Sequence, residues 1–457
     1  MDKSATPRFP PGFVWGVSTA AYQVEGAVGE GGRGQSSWDA FAAEPGRIRG
    51  GDTAEVACDH YHRYPEDIAL MADLGVDAYR FSFSWPRVQP GGSGPVNAEG
   101  LAFYDRLVDG LLAAGIAPTP TLFHWDTPLE LERAGGWLNR DTAERFAEYA
   151  GLLGSHFSDR IPRWMTLNEP VSLTMLGYGA GIHAPGLELG FDALPAAHHL
   201  LLAHGLGVQS LRAAGAGSIG IANNHGATWP ASQAVEDLEA AALYDNLANW
   251  IFADPILTGA YPDVLAPYLP GVADADLATI ATPIDWYGIN SYNPTVVGAP
   301  AAGTGGLIDG HAVDASLPFS LRDSEGYPRT DFGWPIVPEA FTEMLLGFKA
   351  RYGSKLPPIY ITENGAAFND GPGADGRVHD QRRIDYTAAH LRALRAAMDG
   401  GVDIRGYFHW SLLDNFEWAA GYSQRFGLVH VDYGTQRRTP KDSFHWYRGV
   451  IGESKSG

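Results

Sequence analysis

Cysteine, basic charge and long apolar runs are all scarce in this chain of 457 residues. The one cysteine, Cys58, excludes an internal disulfide and fits a reducing compartment. Aliphatic runs such as Leu200–Ala203 are far too short to cross a bilayer, and Met1–Pro11 holds no apolar segment of the secretory kind. A soluble cytoplasmic protein without a membrane partner is expected. Lys and Arg number 32 against 53 Asp and Glu, a formal net charge of -21 with no basic tail or stripe. Such a field repels phosphate backbones, so nucleic acid is not an expected partner. The charge itself reads as a solvated acidic exterior, and only a local gathering of carboxylates could carry chemistry. Several motifs are missing as well. No GxGxxG opens a βαβ unit, and GxxxxGK[ST], HExxH, CxxC and GxSxG do not occur, which leaves a phosphate cradle, a zinc protease site and a serine-hydrolase elbow unsupported. His60 and His62, and the trio His198, His199 and His204, fall in helical segments without a carboxylate at ligand spacing, so neither a metal nor a cofactor is expected.

What is present is a chain 45% hydrophobic, long enough to bury a large core. Short β-branched or aromatic segments recur at 13–19, 78–83, 116–123, 163–167, 218–223, 284–290, 358–362 and 406–410. Helical patterns lie between them. Phe146, Tyr149, Ala150, Leu153 and Phe157 share one face at spacings of three and four, as do Ile384, Thr387, Leu391, Leu394 and Met398. Several helices run into a glycine and then the next strand, as in MADLGVDAYRF and LLAAGIAP, which supplies the left-handed residue that a helix C-terminus favours. Eight alternations without a break in composition predict a (β/α)8 TIM barrel, one catalytic domain spanning residues 1–457. A doubly wound sheet in two domains is the alternative. The long interval after the fifth segment, which includes a helical pattern from Ala234 to Ala253, and the aperiodic stretch from Tyr292 to Pro338 are expected to be loops carrying binding surface.

In a barrel the C-terminal ends of all strands meet at one rim, so polar residues just beyond the apolar segments become neighbours. They are Gln23, Trp85, His124, Trp125, Asp126, Asn168, Glu169, Asn223, Asn224, His225, Asn290, Tyr292, Glu363, Asn364 and Trp410, with Glu417 and Trp418 in the loop beyond. Amides and carboxylates hold adjacent hydroxyls by paired hydrogen bonds, and an indole covers the C–H face of a sugar, so the set suits a neutral polyhydroxylated ring. Taken singly, Trp85 and Trp125 read as packing and Asn223 equally as a turn residue. Glu169 and Glu363 each follow a strand directly and each adjoins an asparagine. Two opposed carboxylates supply the proton donor and the anion that glycoside hydrolysis requires; two salt-bridged rim residues are the other reading.

The motifs PPGFVWGVSTAAYQVEG (10–26), TLFHWDTP (121–128), TLNEP (166–170), ITENG (361–365) and HWSLLDNFEWAAGYSQRFGLVHVD (409–432) occur in order along the chain. Through them the chain resembles, essentially end to end, the family-1 glycoside hydrolases, the β-glucosidase family of retaining enzymes. The resemblance implies a β-glucosidase acting on small-molecule β-glycosides, with Glu169 as acid/base and Glu363 as nucleophile. It implies a glycone site formed by Gln23, His124, Asn168, Glu417 and Trp418, with Trp410 as platform and Trp125 as support. Asn290 joins the substrate-binding set, and Tyr292 matches the tyrosine that bonds the nucleophile, although the usual Asn-Tyr-Tyr run reads NSY here with Ser291 in the middle. Trp334 looks like the aglycone-side tryptophan, with Leu173, His183 and Asn223 at the entrance. Family members acting on 6-phosphorylated sugars replace the tryptophan after the glycone glutamate; this chain keeps Trp418, which implies a neutral glycoside. Glu417 and Gln23 gripping the C4 hydroxyl imply preference for glucosides, with galactosides and fucosides accepted more weakly.

Overall fold

The computed structural model describes residues 6–456 except 270, 301–304, 309, 313 and 315. Eight strands close into a barrel: Val14–Ser18, Ala78–Ser82, Ala117–Phe123, Arg163–Asn168, Ser218–Asn224, Tyr287–Asn290, Ile359–Asn364 and Ile404–Trp410. Every neighbouring pair is parallel and in chain order, and the eighth strand closes on the first with Val14 opposite Gly406. The sixth strand begins at Tyr287, later than the sequence pattern suggests, because the Asp285 carboxylate accepts the Ile219 amide at 2.7 Å and Trp286 turns into the barrel floor. This is a (β/α)8 barrel.

Alternation along the strands divides the core in two. Ala78, Met165, Ala222, Trp286, Tyr360 and Phe408 fill the floor of the barrel, while their strand neighbours such as Tyr79, Phe81, Trp164 and Tyr287 face the surrounding helices. Two glycines make room for the floor's large rings. A Cβ on Gly16 would stand 2.2 Å from the Phe408 ring, and one on Gly220 would stand 2.5 Å from Trp286. The helix Asp141–Phe157 buries Phe146, Tyr149, Ala150, Leu153 and Phe157 completely, each large side chain contributing roughly 1.5–3 kcal/mol. Helix His60–Leu74 ends as its sequence predicts: Gly75 takes φ 79° and its amide reaches the Met71 and Ala72 carbonyls, releasing the chain into the second strand.

The long connections differ from plain loops. Thr228–Pro230, Thr295–Gly298 and Ser320–Arg322 pair into a small sheet beside the rim. Strands of three and four residues are too short to imprint a period on the sequence, which is why the stretch after Tyr292 reads as aperiodic. Part of that stretch lies outside the described residues. Among the described residues no helix is long and apolar enough to cross a membrane.

Candidate active site

A cavity of about 360 Å³ opens at the C-terminal rim, lined from the strand ends by His124, Trp125, Asn168, Glu169, Glu363 and Trp410. The loops after them add Tyr292, Trp334, Glu417, Trp418 and His183. Seven described residues other than glycine have positive φ, and three of them, Trp125 at 76°, Glu169 at 43° and Trp418 at 47°, line this cavity. Each such conformation costs about 1–3 kcal/mol and persists only where packing enforces it. At Glu169 the enforcement is visible: its amide donates to the Ala222 carbonyl at 2.7 Å, and Pro170 starts the next helical turn. The backbone is turned so that the carboxylate points inward rather than along the strand.

The two glutamates occupy different surroundings. Glu363 accepts from the Arg80 guanidinium and from the Tyr292 hydroxyl at 2.6 Å, so its charge lies against a fully buried cation. Glu169 has no cation paired with it among the described residues. Its oxygens accept from Asn290 Nδ2 at 2.7 Å, Ser172 Oγ at 2.7 Å and Asn224 Nδ2 at 3.2 Å. Burial, reinforced by the negative charge of Glu363, pushes the Glu169 carboxyl up to about 7. One acid is therefore matched by a positive charge and the other holds its proton toward neutrality.

Asn168 ties the pair together. Its Oδ1 accepts from Arg80 Nη2 at 2.5 Å and from Asn290 Nδ2 at 2.9 Å, while its Nδ2 faces His124 Nε2 at 3.0 Å. An amide N–H can only donate, so His124 Nε2 must accept and the ring proton sits on Nδ1, which has no partner among the described residues. Burial, with the nearby Arg80 charge, drives the His124 ring well below its usual range, keeping it neutral. Gln23 lies behind the wall, donating to Glu417 Oε2 at 3.2 Å, Asn415 Oδ1 at 3.1 Å and the Phe416 carbonyl at 2.9 Å; its own Oε1 is buried without a partner among the described residues. Indoles close the other side. Trp418 lies 4.5 Å from Trp125 between ring centroids and 5.9 Å from His124, and the Trp125 N–H is anchored on the Asn168 carbonyl at 2.9 Å. Rigid aromatic faces, neutral amides and a ring N–H without a partner among the described residues suit a ring bearing many hydroxyls.

Not every rim residue reaches the cavity. Asn290 acts from behind, through its bonds to Asn168 and Glu169. Leu173 and Asn223 do not line the space. Leu173 is packed into the core and Leu176, three residues on, faces the cavity; Asn223 turns outward to the Tyr287 hydroxyl at 2.6 Å, and Asn224, of opposite strand parity, faces Glu169. Trp85 stacks on Tyr149 at 5.0 Å as packing, His225 bonds Asn249 and Tyr287, Asp126 is buried away from the space, and Asn364 Nδ2 holds the Ser291 carbonyl at 2.8 Å. His60, His198, His199 and His204 bond Asp67, Asp276, the Trp137 carbonyl and Thr166 respectively, and among the described residues no three potential metal ligands cluster. Arg80, like Ser172 and Leu176, is a participant that the sequence pattern did not single out. Its signal was parity: in AYRFS it shares the inward face with Ala78 and Ser82, and a cation inside a barrel requires an anion there.

The profile of glycosyl hydrolase family 1 matches residues 5–456. Beta-glucosidase A of Thermotoga maritima is 46% identical, with 97% of this chain and 98% of that protein covered. A bifunctional beta-D-glucosidase/beta-D-fucosidase of Bifidobacterium breve is 45% identical over 98% of this chain and 99% of its own length. Among solved structures, that of the Thermotoga maritima beta-glucosidase in complex with glucoimidazole superposes with a TM-score of 0.92 at 45% identity, covering 98% of this chain and 99% of that one.

Proposed function

The chain belongs to glycosyl hydrolase family 1, and from that premise we propose that it is a retaining β-glucosidase. It would release terminal non-reducing β-D-glucosyl residues from neutral β-glucosides and short oligosaccharides such as those derived from cellulose, with weaker action on β-galactosides and β-fucosides. The observation that carries this reading is the unequal pair of carboxyls in one cavity: Glu363 against Arg80 and Tyr292, Glu169 buried and pushed up to about 7. The whole chain is read as one cytoplasmic catalytic domain without a cofactor.

In the first step the Glu363 carboxylate attacks C1 while Glu169 gives its proton to the glycosidic oxygen. The C1–O bond breaks, the alcohol leaves, and a glucosyl ester of Glu363 remains. Formation of that ester consumes the charge beside Arg80, and the loss of that charge relieves Glu169, which becomes the stronger acid as its proton departs. Water then enters; ionised Glu169 takes its proton, oxygen attacks C1, and the ester breaks to restore both carboxyls. Two inversions at C1 give net retention. Glu417, His124 and Asn168 hold the ring hydroxyls, with Gln23 bonded to Glu417 from behind, Trp410 and Trp418 hold its faces, and Trp125 supports them. Trp334 and His183 flank the leaving group.

A 2-deoxy-2-fluoro β-glucoside with a good leaving group tests the assignment. The expected result is an added fluoroglucosyl mass on the peptide containing Glu363, with β-glucose as the first-formed anomer by NMR when an ordinary β-glucoside is cleaved. No covalent mass together with no turnover would indicate a sugar-binding protein, and an α-anomer first would indicate inversion.

A further inference from the structure

The cavity is not uniform in charge. Its inner end carries Glu169, Glu363 and Glu417, whereas its outer wall carries Arg47, Arg49 and His311. In a chain with 53 acidic residues against 32 Lys and Arg, two arginines on one wall of the site are a local reversal of sign. Arg47 is partly committed: its Nε pairs with Glu44 at 2.9 Å, its Nη1 reaches the Gly181 carbonyl at 3.3 Å, and the guanidinium lies 5.0 Å over the Phe41 ring. Arg49 is different. Its guanidinium donates to a neutral hydroxyl, Ser423 Oγ at 3.3 Å, and no carboxylate pairs with it among the described residues. Its Nη2 stands 3.9 Å from where a Cβ on Gly310 would be, so the guanidinium spans toward the segment that carries His311. The overall charge of -21 opposes an approaching anion at long range. That repulsion is confined by a Debye length of about 8 Å at physiological salt, however, so within the mouth the arginines decide.

We propose that this outer wall recognises an anion, and that beyond the neutral β-glucosides the enzyme also takes β-glucosides whose leaving group carries a carboxylate, with Arg49 as the principal contact. This rests on the glycosidase reading, because it assigns the chemistry of the leaving-group half of the same cavity; the sugar half stays neutral. Arg49 meets the requirements of such a contact. A planar guanidinium offers two parallel N–H groups to a carboxylate, and it is held by one weak neutral bond that a ligand can replace without breaking an ion pair.

Two matched pairs of compounds separate the sources of the carboxylate. One is 4-carboxyphenyl β-glucoside against its methyl ester; the other is a glucosyl-gluconate against its amide. The quantity read is the ratio of kcat/KM, acid over neutral partner, since differences in leaving-group acidity are common to all protein variants and cancel. We expect Arg49→Gln to lower the ratio by about two- to five-fold, the range of a partly exposed ion pair, and Arg49→Glu to lower it further. Arg405→Gln, at an exposed arginine paired with Asp403 at the opposite end of the barrel, leaves the ratio where it is. A drop in the aryl pair alone identifies an aromatic acid as the leaving group, and a drop in the sugar pair alone identifies a sugar acid. Hydrolysis of both members of both pairs with ratios indifferent to Arg49 overturns the anion subsite while leaving the glycosidase intact. Hydrolysis of none of the four by the unaltered enzyme overturns both.

Discussion

Replacing Glu169 with Gln should make the protein relatively more stable as the pH rises, at the same time as it slows catalysis. The Glu169 carboxyl is raised from an ordinary 4.5 to about 7, with burial the larger cause and the charge of Glu363 the next. Between those values the folded protein keeps a proton that the unfolded chain has released. Because the folded state then binds more protons, stability falls as pH rises through this window, by about 1.4 kcal/mol per pH unit at its steepest. From pH 5 to pH 8 this group should withdraw about 2–3 kcal/mol, with the whole penalty present above the folded value and absent below the unfolded one. An amide does not titrate, so Glu169→Gln removes the penalty. The substitution also misaligns one hydrogen bond, because Asn290, Ser172 and Asn224 all donate to this side chain. None of those three titrates, so that cost is the same at every pH and drops out of the difference.

For a chain of 457 residues the entropy of unfolding near the midpoint is about 1 kcal/mol/K, from ~2.1 cal/mol/K per residue. The predicted change is therefore a rise of about 2–3 °C in Tm(variant) minus Tm(parent) between pH 5 and pH 8. Calorimetric or circular-dichroism scans of both proteins, at one scan rate and in matched buffers, read it directly. The same proton should appear in turnover: kcat/KM of the parent declines above a pH near 7 as the acid ionises, and the variant lacks that limb. A Tm difference that stays flat or falls with pH would refute the reasoning, because it would mean that Glu169 is no harder to ionise in the fold than in the unfolded chain.

Two further predictions concern the other carboxyl. Arg80→Met should destabilise the protein by about 3–5 kcal/mol, the cost of stranding a buried charge, and Glu363→Gln should recover much of that loss when combined with it. Strict additivity in a double-mutant cycle measured by denaturant unfolding would contradict the pairing. Glu363→Gln alone should almost abolish turnover, whereas Glu169→Gln should slow it by about 10²- to 10⁴-fold, less with acidic leaving groups, and respond to azide by forming β-glucosyl azide. Formation of the β-glucosyl azide by Glu363→Gln instead, with none by Glu169→Gln, would reverse the two roles.

Strand and helix recurrence, the glycine that ends His60–Leu74, and the rim positions of Glu169, Glu363, His124 and Trp410 are all legible in the sequence, because each depends on neighbours within a turn of helix or a single strand. Barrel closure turns those local patterns into one site without any further signal being needed, since parallel strands in chain order must end at one rim. What the tertiary structure decided is of another kind. Which of two adjacent asparagines, Asn223 or Asn224, faces Glu169 depends on strand parity at a rim where the ladder between the fourth and fifth strands shifts register. The cation for Glu363 comes from a strand 283 residues earlier in the chain, through Arg80, and no local pattern encodes a contact of that span. Leu176 replaces Leu173 at the cavity because the segment Leu173–Gly179 is wound more loosely than an α-helix, which rotates its faces. The asymmetry between the two glutamates arises only there too: two similar side chains after two similar strands acquire different partners, Arg80 for Glu363 and three neutral donors for Glu169, whose carboxyl is raised by burial and by the Glu363 charge, and all of these are properties of the closed barrel.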